Sequence, residues 1–278
     1  MQSSLKDMIL FFLAVAGIEE GDQHPILAIT SRTVLPHLEY AQLYSRIPDF
    51  TPSAIRGAVS LLQRQGLVVS FQKGGKSQIR LTVVGKEMVV SSFPASLFQK
   101  KRWDERWRII IFSGVRDRSE GKTAAAYRAL RTTLHQAGFV PLERGVYVSP
   151  FPLEERVKRA LAKSGQLGFL TGVETRQFFL GDEREFVRQM WNLDELSKDY
   201  TKLRTRMMTA LRIMKNERIL THQRKHQFYS VSKELSIILQ REPGFPSQWY
   251  IHEDLSKICW KTYLQLSQAF SEKERIVI

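Results

Sequence analysis

The chain has 278 residues, 43% of them hydrophobic, and carries 42 lysines and arginines against 28 acids, a formal charge of +14. That length exceeds one ordinary core and predicts two or three domains, while the charge favours a polyanionic partner, nucleic acid or an anionic membrane face. The single cysteine, Cys259, excludes an intramolecular disulfide and suits a reducing cytoplasm, and without an apolar run of about 18 residues no membrane span is expected.

From the N-terminus, Ser3 or Ser4 is placed to cap a helix in which Leu5, Met8, Ile9, Phe12, Leu13 and Ala16 recur at helical spacing. The run Met8 to Gly17 also imitates a signal peptide, with Ala14-Val-Ala16 as its cleavage site. Its flank offers only Lys6, offset by Asp7, so a first helix of a domain is the better reading. Glu19 to Asp22 reads as a turn, Val34 to Arg46 as a helix despite Pro36, and Ile47 to Pro52 as a second turn.

Thr51 to Thr82 is the most informative stretch. Thr51 suits an N-cap and Pro52 the first helical position. Ile55, Ala58, Val59 and Leu62 share an apolar face, and Gly66 ends the helix. Ser53, Arg56, Ser60, Gln63 and Arg64 fall on the other face; hydroxyls, an amide and two guanidinium forks are the groups that read base edges and phosphates in a major groove. Leu67 to Phe71 and Gln78 to Thr82 read as strands joined by Lys73-Gly-Gly-Lys76, where Gly-Gly supplies the positive φ of a tight turn and the two lysines flank its tip. Each part alone is a common surface element. Together they predict a winged helix-turn-helix over residues 1–92, with Thr51, Ser53, Arg56, Ser60, Gln63, Arg64, Lys73 and Lys76 as its DNA-binding residues.

Lys86 to Val90 predicts a further helix and Ser91 to Lys101 a linker. A second domain, 103–181, follows: strand Arg108 to Phe112, helix Thr123 to Ala137 with Ala126, Leu130 and Leu134 inward and Gly138 as its stop, strands Phe139 to Glu143 and Gly145 to Ser149, helix Pro152 to Lys163 and strand Gly172 to Leu180. This β-α-β-β-α-β order is the ferredoxin-like split motif. Trp103, Trp107, Phe112, Tyr127 and Phe139 read as its core and not as a base-stacking platform. The third part, 182–278, is predicted to be mainly helical: Asp182 to Met214, Ser230 to Gln240 and His252 to Phe270, with Pro243-Gly-Phe-Pro246 between the last two. From Lys202 to Lys233 nine lysines and arginines face one acid, Glu217, which makes a solvated helix face or one that steers DNA. The fold class expected is α+β.

Ile55-Arg56, Ala58, Ser60, Gly66 and Leu81-Thr82…Gly85 in the first part resemble the PaaX family of bacterial transcriptional repressors. So do Trp103-Asp-Glu-Arg-Trp107, Phe112-Ser113, Tyr127-Arg-Ala-Leu-Arg131, Leu134, Gly138-Phe139 and Gly145-Val-Tyr-Val-Ser-Pro150 in the second, and Trp191-Asn-Leu-Asp-Glu-Leu196 with Tyr200 in the third. The resemblance runs from about Pro36 to Tyr200. It implies a cytoplasmic homodimer that binds double-stranded operators near catabolic promoters and is released by an aryl-acetyl coenzyme A type effector, whose phosphate is a further candidate partner for the basic stretch from Lys202 to Lys233. Two departures stand out. Leu61 follows the reading-helix serine where the family usually has arginine, so no operator sequence transfers. Asp254-Leu255 stands where the family has acid and tryptophan.

The middle part is also similar to the small metal-dependent nuclease subunit of CRISPR adaptation complexes, which carries a metal-holding Asp at the end of its first strand. The matching position is Ser113, a poor hard-cation ligand, and Asp117 lies further on in an expected loop. A metal-dependent nuclease is therefore the alternative reading, and the leading one is not an enzyme. Gly114 to Thr123 imitates a phosphate loop, but six residues separate its glycines where the motif has four. His222 and His226 stand at i, i+4 without an evident third zinc ligand, and no nucleophile elbow is present. Glu19-Glu20 and Glu154-Glu155 are surface acids, and neither metal nor cofactor is expected.

Overall fold

A computed structural model describes residues 4–16, 37–92, 103–112, 121–153, 158, 162, 170–178, 180–216, 220–243, 245, 249 and 254–276. Helix α1, Leu5–Val15, starts at a capping box in which Ser4 Oγ accepts from Asp7 N–H (3.3 Å) and Asp7 Oδ2 accepts from Ser4 N–H (2.8 Å). Met8 to Ala14 are all buried, as an all-round apolar helix requires. The expected turn at 19–22 lies outside the described residues.

The helix expected over 34–46 is shorter. His37–Glu39 form strand β1, and helix α2 starts at Tyr40 and runs to Arg46, with Glu39 N–H donating to Gln42 Oε1 (3.0 Å). Antiparallel pairing of His37–Glu39 with Gln78 to Arg80 holds these residues extended in place of helix. Helix α3, Pro52–Arg64, buries Ile55, Val59 and Leu62. It stops in a Schellman turn: Gly66 is left-handed (φ 71°), its N–H donates to Gln63 O (2.9 Å), and Leu67 N–H donates to Leu62 O (2.9 Å). Strands β2, Val68–Lys73, and β3, Lys76–Leu81, pair antiparallel in the register Val68↔Leu81 to Lys73↔Lys76, around Gly74 and Gly75 with φ of 59° and 74°. Two successive positive φ angles give the two-residue turn whose twist matches a hairpin. Strand β1 pairs with the other edge of β3, so the sheet order is β1-β3-β2.

The helix expected at Lys86 to Val90 runs longer, as α4, Val83–Ser91, capped by Thr82. Thr82 Oγ1 donates to Gly66 O (2.6 Å) and accepts from Gly85 N–H (3.0 Å), which ties the base of the hairpin to the helix ends. Gly85 has no room for a side chain: a Cβ there would lie 1.9 Å from Leu67 O. Most of the expected linker at 91–101 lies outside the described residues.

Strand β4, Trp107–Phe112, opens the middle of the chain. Helix α5, Gly121–Gln136, follows, then β5, Val140–Glu143, β6, Val146–Ser149, and β7, Leu170–Thr175. The sheet is fully antiparallel in the order β5-β6-β4-β7, as the split motif requires. Ile110, Phe112, Leu130, Leu134, Phe139 and Tyr147 make its core. Of the helix expected over 152–163, Lys158 and Ala162 are helical, Pro152 and Leu153 precede it, and the remainder lies outside the described residues. The last strand lies earlier than the expected 172–180. Trp107 pairs with Thr175, so β4 offers no partner further on, and Phe178 turns away to pack on Trp107 (5.3 Å) and Phe186 (4.8 Å). Arg108, buried in β4, donates to Asp104, Glu174 and Pro150 O and so ties the strand to both flanks. Its hydrogen bonds hold the Asp104 and Glu174 carboxyls below their ordinary range.

The single helix expected over 182–214 is two: α6, Glu183–Met190, capped by Asp182, and α7, Leu193–Lys215. The break is at Asn192, which is left-handed (φ 51°), beside Trp191, whose ring packs on Phe245 (4.9 Å). Helix α8, Thr221–Arg241, extends the expected one at both ends, and α9, Asp254–Ile276, extends its own at the C-terminal end. The chain divides into two compact units. One combines Met1–Ser96, Glu195–Glu242 and His252–Ile278; the other combines Leu97–Asp194 and Pro243–Ile251. In the first, Phe228 stacks on Phe270 (4.2 Å) and Phe12 (6.0 Å), and the Arg46 guanidinium lies 5.5 to 6.0 Å from all three rings.

Candidate nucleic-acid interface

The periodicity of α3 turns one face into the core and the other to solvent. Ser53, Arg56, Ser60, Gln63 and Arg64 are all exposed, as is the capping Thr51. The Thr51 hydroxyl accepts from Ala54 N–H (3.2 Å), so its first task is to start the helix. Gly57 lies in the middle of the exposed face, and a Cβ there would meet nothing within 4 Å.

Two of the polar residues are held by neighbours. Arg56 Nη1 donates to Tyr44 OH (3.2 Å), so α2 orients the guanidinium. Gln63 Nε2 donates to Ser70 Oγ (3.0 Å) on β2, and Ser70 Oγ lies 3.3 Å from Tyr40 OH, so one chain of polar contacts joins α3, β2 and α2. Lys73 and Lys76 flank the Gly74-Gly75 turn and are exposed. Lys76 is also paired: its Nζ lies 3.1 Å from Glu39 Oε2. Arg80 on β3 lies over the Phe71 ring (5.3 Å). The structure therefore gathers the α3 residues on one face and sets the two lysines at the hairpin tip. Tyr44, Ser70, Glu39 and Gly57 were missed by sequence reasoning. Gly57 alone had a signal there, standing at i+4 from Ser53 and between Arg56 and Ser60.

Asp49, two residues before Thr51, has its Oδ1 2.7 Å from His226 Nδ1. This contact joins α8 to the turn that leads into α3. His222, the other half of the i, i+4 pair, is exposed, and among the described residues no group of three His, Cys, Asp or Glu side chains could hold a metal ion. Within the basic stretch, Arg206 pairs with Glu234, Lys225 pairs with Glu274 (3.4 Å) and Arg224 Nη2 donates to Asn216 O (2.7 Å). Glu242 is buried, accepts from Tyr200 OH (2.5 Å), and has its carboxyl pKa raised by that burial. Burial also pushes the Cys259 thiol up to about 12, which leaves it a poor nucleophile.

In the middle of the chain, Trp107, Phe112 and Phe139 are buried and Trp103 and Tyr127 half-buried, so these rings serve packing. Ser113 and Asp117, the positions that bear on nuclease chemistry, lie outside the described residues, as does 114–120 of the imitation phosphate loop.

Among the described residues no helix is long and apolar enough to cross a membrane. No curated protein matches the chain. Residues 100–187 match the family model of the PaaX protein central Cas2-like domain. That match falls on the antiparallel sheet of order β5-β6-β4-β7, so the middle of the chain is similar to the PaaX central Cas2-like domain.

Proposed function

We propose that this PaaX-like regulator is a sequence-specific repressor that binds double-stranded DNA through a winged helix-turn-helix, with α3 as reader and the β2–β3 turn as wing. The observation that carries the reading is the exposed face of α3: Ser53, Arg56, Ser60, Gln63 and Arg64 project from a helix whose opposite face is fixed in the core. Such a helix presents forked and single donors to base edges without unfolding anything. Lys73 and Lys76 at the Gly-Gly tip supply the phosphate contacts, and the net charge of +14 favours approach to a polyanion. Homodimerisation, a cytoplasmic setting and release by an acyl-coenzyme A type effector rest on the family resemblance, and the proposal is of a regulator and not an enzyme.

The test is selection of genomic fragments on the purified protein, then titration of the selected duplex. Arg56→Ala should weaken binding by about 1–3 kcal/mol and relax the preference at one base pair. Equal binding by wild type and Arg56→Ala would remove Arg56 from the reader. A two-fold dimer predicts half-sites one or two helical turns apart. Repeating the selection with aryl-acetyl coenzyme A compounds tests release.

A further inference from the structure

Helices α7 and α8 form an antiparallel hairpin. Arg241 Nη1 lies 2.6 Å from Asp199 Oδ2, Arg206 Nη2 donates to Ser230 Oγ (2.8 Å), and Arg224 Nη2 donates to Asn216 O (2.7 Å). That register sets Lys215 level with Lys225 and His226. His226 in turn meets Asp49, just ahead of the α3 N-cap. The C-terminal end of α7 and the N-terminal ends of α8 and α3 therefore share one corner of the same unit. Reading helices contact bases mainly through their N-terminal residues, so a duplex seated on α3 runs its backbone past this corner.

Arg212 and Lys215 on α7 are exposed and, among the described residues, make no ion pair, whereas Arg206 and Lys225 close by are matched to Glu234 and Glu274. His222, exposed, stands one helical turn from His226 towards the tip, on the same face of α8. Cations that pair with no described acid, in the same corner as the N-terminal end of α3, match the requirement of a phosphodiester backbone, whose bound counterions they would replace.

We propose that the C-terminal end of α7, through Arg212 and Lys215, is a second phosphate-binding surface that grips the DNA backbone flanking the segment read by α3. This rests on the reading of α3 as a DNA reader. The surface adds affinity without sequence information, because phosphate contacts position a protein and do not specify bases.

The test uses the full chain and a duplex selected by the wild-type protein, in long form and trimmed to the selected core, titrated across a salt series. The Arg212→Gln, Lys215→Gln double variant should bind the long duplex with a salt slope shallower by about two units, roughly 0.9 for each phosphate that is no longer neutralised. It should bind long and trimmed duplexes more equally than wild type does, with the same base preference. A double variant that removes the same charge elsewhere, Lys198→Gln with Lys261→Gln, should keep the wild-type difference between long and trimmed duplexes. Thermal melting of each variant reports whether it is folded. If the Arg212, Lys215 variant is folded and matches wild type at every salt and length, the proposal for the end of α7 is overturned while the α3 reading stands. If wild type selects no duplex, the α3 reading fails and this one with it.

Discussion

Gly57 occupies the middle of the exposed face of α3, where an alanine would meet no neighbour. Glycine inside a helix costs about 1 kcal/mol relative to alanine, so a folding argument alone favours replacing it. An interface argument favours keeping it, since the missing side chain lets a groove approach the helix backbone between Arg56 and Ser60. Gly57→Ala is therefore expected to raise the denaturation midpoint and, at the same time, weaken binding to the selected duplex. Chemical denaturation and a binding titration on one preparation check both, and unchanged binding would place Gly57 outside the contact. Glu242 makes a second residue-scale case. Its carboxyl pKa is raised by burial, against which the hydrogen bonds from Tyr200 and Ser256 act. The folded state then holds this proton to higher pH than the unfolded state does, so the contribution of Glu242 to stability falls as pH rises from the ordinary carboxylate range to the raised folded value, and stays low above it. Glu242→Gln keeps an acceptor for Tyr200 and removes the titration. The gain in melting temperature over wild type should be larger at neutral pH than near pH 4, roughly the unfolded carboxyl value; a gain independent of pH would mean that the shift is not expressed.

At the scale of elements, what could be read locally was readable. The cap at Thr51, the stop at Gly66 and the Gly74-Gly75 turn each act within a few residues of themselves, so α3 and its hairpin follow from the sequence. The first strand, β1, did not, because His37–Glu39 become extended only by pairing with β3, some 40 residues on. The break before α7 was hidden for a similar reason: Asn192 is compatible with helix, and only the packing of Trp191 on Phe245 selects the left-handed turn. The candidate site divides along the same line. Its outward residues are legible from helical period, whereas Tyr44 and Ser70, which hold Arg56 and Gln63, reach them through tertiary packing that no spacing reports. Tyr44→Phe isolates that support. It removes the hydroxyl that accepts from Arg56 and leaves the ring, so stability should stay within about 0.5 kcal/mol. Affinity for the selected duplex should fall several-fold, because a freed guanidinium loses rotamer entropy on binding, about 0.5–1.5 kcal/mol. Titration of wild type, Tyr44→Phe, Arg56→Ala and the double variant forms a cycle; additive effects would show that the tyrosine does not act through Arg56.

For the whole molecule, the important property is that the unit holding α3 is assembled from three stretches of chain, Met1–Ser96, Glu195–Glu242 and His252–Ile278. Within residues 1–92, α1 packs on α3, α4 and β3, and α1 and α2 take further core partners from the far end of the sequence. Phe12 stacks on Phe228 of α8, Phe11 packs by Tyr263 of α9 (6.3 Å), and Arg46 donates to Ser271 (3.3 Å) while lying over Phe12, Phe228 and Phe270. Cutting after residue 92 would strip Phe11 and Phe12 of the rings they pack on in α9 and α8. Each large side chain so exposed costs about 1.5–3 kcal/mol, against a total stability on the order of 5–15 kcal/mol for a typical domain. A fragment of residues 1–92 is therefore expected to show no cooperative thermal transition and no binding to the duplex that the full chain selects. Calorimetry and a titration of the fragment check this. A fragment that melts cooperatively and binds that duplex would show that α1 and α2 need nothing from α8 and α9, and that residues 1–92 are a self-sufficient domain; a fragment that does neither makes the C-terminal helices part of the foundation on which α3 stands.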